Sequence, residues 1–368
     1  MGVLRVLLAL SVVFSHSSAP FGLSLLGGRT AVECFFVISG FYMALVIDRK
    51  YRGLGNKLWT TFIASRVARL MPVYLTIVAA TLAASLLDLA RGGQSDLLNA
   101  FGELSPIGAG LAALANLTLI GQDALTFTVV GGNGAPQFIG HPLDDPSRGA
   151  NLLLIPPGWS LSIELAFYML VPFILTRSVR FLVALGSASA VVKVGIALSP
   201  LSYDPWSYRF FPAELVYFIA GALAYRLLSG LARRADWRVG PSVFVLLIAA
   251  IAAYTAVSAL SSEPVAIVFP LLFAVTVPWI FAWTSANAAD RWIGDLSYPV
   301  YLVHILLQKT LDAVGVPVNG LVLGAASIAA GAVLLLVVDH PWEKWRQRRL
   351  ASALLHSQPT SRTPHPQA

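Results

Sequence analysis

The sequence predicts an all-α, polytopic integral membrane helical bundle of about ten transmembrane helices. Three observations carry that expectation. Apolar residue types make up 57 % of the 368 residues, and the 29 glycines lift this to about 65 %, against roughly 45–50 % in a soluble domain. Charged residues are 12 %, about half the usual share. The apolar residues also fall into runs of about 20, the length that crosses a hydrocarbon core as a helix. Disorder is excluded, because a disordered chain has few apolar residues and much charge. The net charge of +7 is spread along the chain, unlike the single basic domain of a nucleic-acid binder. With one cysteine, Cys34, the chain has no internal disulfide and no cysteine zinc cluster.

The runs lie at about 3–20, 30–47, 70–88, 159–176, 180–198, 210–228, 241–260, 265–284, 296–312 and 318–338. Glycine and proline recur inside them, as bilayer helices tolerate. The segment 107–120 (IGAGLAALANLTLI) is apolar but short, and it is either an eleventh span or a re-entrant helix. Charge decides the count, because cytoplasmic loops collect Lys and Arg. With ten spans, the basic groups from Arg49 to Arg69, from Arg226 to Arg238 and from Lys344 to Arg349 all face one side with Arg5. An eleventh crossing turns the later groups to the other side. The expectation is therefore ten spans, both termini cytoplasmic and a long outer loop before the fourth span. The chain is read as one transmembrane domain over 1–349 and a disordered cytoplasmic tail over 350–368, rich in Pro, Ser and Thr. The first span resembles a signal peptide, but it runs straight into a second apolar span, so it is expected to stay.

Ionisable side chains inside a span cost about 2.5–3.5 kcal/mol on insertion scales, which makes each a functional candidate. Arg5, His16, Glu33, Glu164, Lys193, Glu214, His304 and Asp339 qualify. Arg5 and His16 are three turns apart on one helix face, with an axial gap of about 16 Å. Glu33 opens the second span at the depth where the first ends, so the sequence predicts that its carboxylate meets the His16 imidazole. Such a pair fixes the tautomer and makes a general base. Arg66 and Arg69, three residues apart, share a face at the predicted start of the third span. Two forked cations at a helix N-terminus suit a phosphate or pyrophosphate. Glu164 and Tyr168 are one turn apart, and Tyr298, Tyr301 and His304 form a stripe at three-residue spacing. A phosphate-bearing donor inside and an acceptor outside fit this set. So does a proton-coupled transporter or flippase of a lipid-linked sugar or small solute.

The segments LRVLLALSVVFSHS, AVECFFVISGF, FIASRVARLMPVYL, GWSLSIELAFYMLVP, LSYPVYLVH and DHPWEKW together resemble the membrane-bound acyltransferase family 3, the bacterial O-acyltransferases that acetylate surface polysaccharides. The resemblance runs over about 3–345. It implies an O-acetyltransferase of the bacterial inner membrane that uses acyl-CoA, in the simplest case acetyl-CoA, and no metal. It implies His16 as the base or a transient acyl carrier, with Glu33 at the acidic position of the second motif. It makes Arg5, Arg66 and Arg69 the acyl-CoA arginines. Trp159, Ser160, Glu164, Tyr168, Tyr301 and His304 are implied as structural or acceptor-lining residues. The implied partners are membrane lipid, a glycan or lipid-linked glycan acceptor, and a separate periplasmic partner or none. Two departures, Arg5-Val6 for Arg-Gly and Asp339-His340-Pro341 for Glu-Pro, weaken the subfamily assignment.

Overall fold

Helices form where the apolar runs lie. The computed structural model describes residues 1–20, 25–51, 53–93, 95–236, 238–258 and 263–355. In chain order its elements are α1 (Gly2–Ser15), α2 (Gly27–Val46), α3 (Leu58–Ala90), α4 (Asp96–Gly102), α5 (Pro106–Thr118), α6 (Gln122–Leu125), β1 (Thr128–Val130), β2 (Pro136–Phe138) and α7 (Gly158–Ile174). There follow α8 (Val179–Ala197), α9 (Trp206–Arg209), α10 (Phe211–Arg234), α11 (Val239–Ser258), α12 (Glu263–Thr284), α13 (Ala288–Ala313), α14 (Gly320–Leu334) and α15 (His340–Leu355). The molecule is a helical membrane bundle. Each of the ten predicted runs coincides with a helix, and among the described residues six helices are long and apolar enough to cross a bilayer.

Polar residues set several helix starts. Ser178 accepts a hydrogen bond from the Phe181 N–H at the start of α8. Asn287 and Asn319 do the same for α13 and α14. Each satisfies a backbone donor that has no partner inside its helix. The centre of the bundle is the crossing of α2 and α10. A Cβ on Gly40 would meet the Phe218 carbonyl oxygen, and one on Gly221 would meet that of Val37. Only glycine lets the two backbones approach this closely, as at small-residue crossings of membrane helices. α1, α7, α8 and α12 pack against that pair, and α13 packs on the other side of α1.

Two boundaries differ from the sequence reading. α1 stops at Ser15, so His16 caps its end. α3 begins at Leu58, well before the predicted start near 70. The polar residues between 57 and 69 continue the helix because Trp59, Phe62 and Ile63 give it an apolar stripe. The region between α3 and α7 is a layer of short elements that includes the antiparallel β1–β2 hairpin. Within it, α5 does not cross the bundle. Its Asn116 carbonyl accepts from the Tyr74 hydroxyl at 2.6 Å, and Gln122 donates to that hydroxyl at 2.5 Å. Tyr74 lies half-way along α3. The chain reverses there through Leu119 and Gly121, both with positive φ, and Asn116 also binds Leu152 and Leu154 just before α7. The segment 107–120 is thus a short helix that ends against the middle of α3, with Ile107, Leu111, Leu114 and Leu117 exposed. At the C-terminal end α15 is helical to Leu355, past the expected boundary at 350. The remainder of the expected disordered tail, 356–368, lies outside the described residues.

Candidate functional site

The arginine-rich end of the bundle holds a cavity of about 780 Å³, within the range of small-molecule sites. Helices from both ends of the sequence build it. α1 contributes Arg5, the turn after α2 Arg49, α3 Arg66 and Arg69, α10 Arg233 and α13 Arg291. Asp290, Asp295 and Glu164 also line it, so cations outnumber carboxylates and the cavity attracts anions.

The two arginines of α3 differ in their surroundings. Arg69 Nη1 is 3.1 Å from Asp339 Oδ2, and Asp295 and Glu343 stand at 3.6 Å. It ties α3 to the segment that precedes α15. Arg66 makes no ion pair with the described residues. Its guanidinium lies over the Phe62 ring, 5.8 Å from the centroid, and its Nε is buried with no hydrogen-bond partner. The expected twin phosphate forks at a helix start are therefore corrected on two points. Both residues sit beyond the first turns of α3, where the dipole effect has faded, and Arg69 is held by carboxylates from elsewhere in the chain.

Further along the cavity wall, Ser39 and Tyr168 both donate to Glu164 Oε1, at 2.7 and 2.5 Å. The one-turn pairing of Glu164 with Tyr168 is as the spacing predicts. At the far end of the cavity the Ser160 and Tyr301 hydroxyls are 2.7 Å apart, and each reaches the Pro157 carbonyl. Tyr298, one turn earlier on α13, donates to the Leu70 carbonyl. Trp159 is buried beneath Arg209, whose guanidinium lies 4.7 Å from the indole centroid, and beside Tyr208.

His16 and His304 lie beyond Tyr301. Their ring centroids are 5.1 Å apart at an interplanar angle of 42°. His304 is wholly buried, with its Nδ1 2.7 Å from the Tyr301 carbonyl oxygen. His16 is exposed at the end of α1, and Gln308 donates to its backbone carbonyl. Neither histidine lines the cavity; Tyr301 stands between, its hydroxyl on one side and its carbonyl on the other.

The pairing of His16 with Glu33 that the sequence predicts is not what the structure has. Glu33 Oε1 accepts from Lys193 Nζ at 2.9 Å and lies 3.4 Å from Arg29 Nε. Lys193 also binds Glu214 and the Ser207 carbonyl. Glu33 is held by Lys193, a charge on α8 that spacing alone does not connect to it. Sequence reasoning singled out Lys193 and Glu214 as intramembrane charges without joining them to Glu33. It missed Ser39, Arg49, Arg233 and Arg291 as cavity residues. Ser39 lay inside the AVECFFVISGF segment; Arg49 and Arg233 carry no signal beyond their place in basic clusters, and Arg291 stands alone between Asp290 and Asp295.

A multi-pass helical membrane protein with an arginine-lined cavity at one end and a histidine pair beyond it is the class these observations define. The chain belongs to the acyltransferase 3 family: the family model, described as an acyltransferase domain, matches residues 1–338. An uncharacterized protein of Aquifex aeolicus (strain VF5) is similar, at 30 % identity over 82 residues. That match spans 22 % of this chain and 37 % of the relative's length. No solved structure matches.

Proposed function

We propose that the protein is an O-acyltransferase that takes an acyl group, in the simplest case acetyl, from cytoplasmic acyl-CoA. It passes the group to a hydroxyl of a surface polysaccharide or other glycan on the outer side. The observation that carries this reading is the cavity of arginines, with Arg66 uncommitted, below a histidine pair. The positive-inside rule assigns the arginine-rich end to the cytoplasm. There Arg66 and Arg5 take the phosphates of CoA, because a guanidinium forks onto phosphate oxygens in a fixed geometry. Arg69 holds the wall to which they are attached.

The thioester then points along the cavity toward Ser160 and Tyr301. Their hydrogen bond has to open for the acyl carbon to reach His16. His16 accepts the proton of the acceptor hydroxyl while the oxygen forms its bond to the acyl carbon. The carbon–sulfur bond breaks, and the proton passes on to the departing CoA thiolate. General-base assistance of this kind contributes about 10²–10⁴-fold. Glu33 belongs to the charge cluster with Lys193 and steers His16 only through the packing of α2. Trp159 and Arg209, at the outer end, are placed to meet the acceptor. The bacterial inner membrane is the proposed location, with membrane lipid and a glycan or lipid-linked glycan as partners.

Transfer of radiolabelled acetyl from acetyl-CoA to glycan in membrane vesicles tests the reading. The His16→Ala variant is expected to lose about 10²-fold or more of the rate while remaining folded. Undiminished transfer by that variant would end the proposal.

A further inference from the structure

His304 carries a group that the mechanism above does not use. Its Nδ1 faces the Tyr301 carbonyl oxygen at 2.7 Å. A carbonyl only accepts, so Nδ1 must carry the proton. In the neutral ring that leaves Nε2 as a bare acceptor. This atom is buried and has no hydrogen-bond partner among the described residues. Buried polar atoms without partners are rare and call for an explanation. The ring beside it is His16, 5.1 Å away between centroids. His16 is exposed, and its ring makes no hydrogen bond to a described residue. A modest rotation at this separation brings one of its nitrogens to His304 Nε2.

We infer that His304 is the positioning residue of His16: its bare Nε2 accepts the N–H of the His16 ring and leaves the other His16 nitrogen unprotonated toward substrate. This rests on the reading of His16 as the base. It gives His304 a role other than lining the acceptor site, and it fills the place that Glu33, committed to Lys193 and Arg29, does not fill. The arrangement is a base whose tautomer is set by the hydrogen bond at its second nitrogen. Here the chain runs from the Tyr301 carbonyl through the His304 ring to His16. The partner is uncharged, so no further carboxylate enters the apolar region. Arg209, from α9, lies within Coulombic reach of both His16 and Tyr301, and an uncharged partner leaves that field undisturbed.

Three substitutions separate the roles of the two nitrogens. His304→Gln offers an acceptor at about the Nε2 position, His304→Asn keeps a polar group only at about the Nδ1 position, and His304→Phe keeps neither. Kinetics of acetyl transfer in proteoliposomes are expected to show kcat falling about 10²-fold in the Asn and Phe variants. KM for acetyl-CoA should stay within about twofold, and Gln should recover at least about tenfold of the loss. Solid-state NMR of ¹⁵N-histidine-labelled protein gives a readout independent of turnover. The His16 ring, identified by its absence in His16→Ala, is expected in one tautomer in the native protein and in a mixture in His304→Asn. Unchanged kcat in both the Asn and Phe variants, or a single His16 tautomer retained in His304→Asn, would overturn the inference. If the native protein transfers no acetyl group, the proposed function fails, and the tautomer measurement alone still decides whether His304 holds His16.

Discussion

Arg66 and Arg69 are chemically identical, three residues apart on one helix, and their surroundings divide their roles. Arg69 neutralises Asp339, which is 2 % exposed. Arg66 has a buried Nε with no hydrogen-bond partner among the described residues. Their common face was legible from spacing alone. The division was not, because Asp339 is 270 positions away in the chain and only the folded bundle brings it to α3. The prediction differs accordingly for the two residues. Arg66→Ala should weaken CoA binding to the detergent-solubilised protein by about tenfold or more, roughly 1.4 kcal/mol or more, with little change in thermal midpoint. Arg69→Ala should lower the midpoint, because it leaves a buried carboxylate without its cation. Calorimetric titration and a melting curve on each variant read the two effects.

The helices themselves were the most legible feature, since a run of about 20 apolar residues has few other solutions in a bilayer. Their ends and junctions were not. α1 stops at Ser15 and α3 begins at Leu58, limits that a run of uniformly apolar residues does not mark. The end of α5 is fixed by Asn116 and Gln122 reaching Tyr74, a contact that no periodicity encodes. The junction of α2, α8 and α10 is a buried charge cluster in which Lys193, 2 % exposed, lies between Glu33 and Glu214, both fully buried. Lys193→Met leaves Glu214 without its cation and Glu33 with Arg29 alone. It should destabilise the protein by about 3–5 kcal/mol, the cost of breaking a buried pair from one side. Adding Glu214→Gln should return part of that loss. Thermal midpoints of the single and double variants in detergent provide the check; equal midpoints for native and Lys193→Met protein would show that the cluster does not hold the three helices together.

For the molecule as a whole, composition and charge asymmetry were enough to read a multi-pass bundle with a basic end, and the motif order was enough to read the family. The Glu164–Tyr168 pair was legible from its spacing, and the His16–Glu33 pair was misread. Arg66 and Glu164 line the basic cavity, and His16 lies outside it, beyond Tyr301. Glu33 goes to Lys193 and Arg29 rather than to His16, since a buried carboxylate goes to the nearest buried cation, and His304 is the partner proposed in its place. The central claim is that donor and acceptor are used from opposite sides of one bundle. Proteoliposomes carrying the protein in a single orientation test it most directly, with radiolabelled acetyl-CoA supplied only to the arginine-rich face and a glycan acceptor sealed on the other side. The account predicts labelled glycan in the acceptor compartment and none without donor at the arginine-rich face. Equal labelling when both substrates are confined to the same side would contradict it.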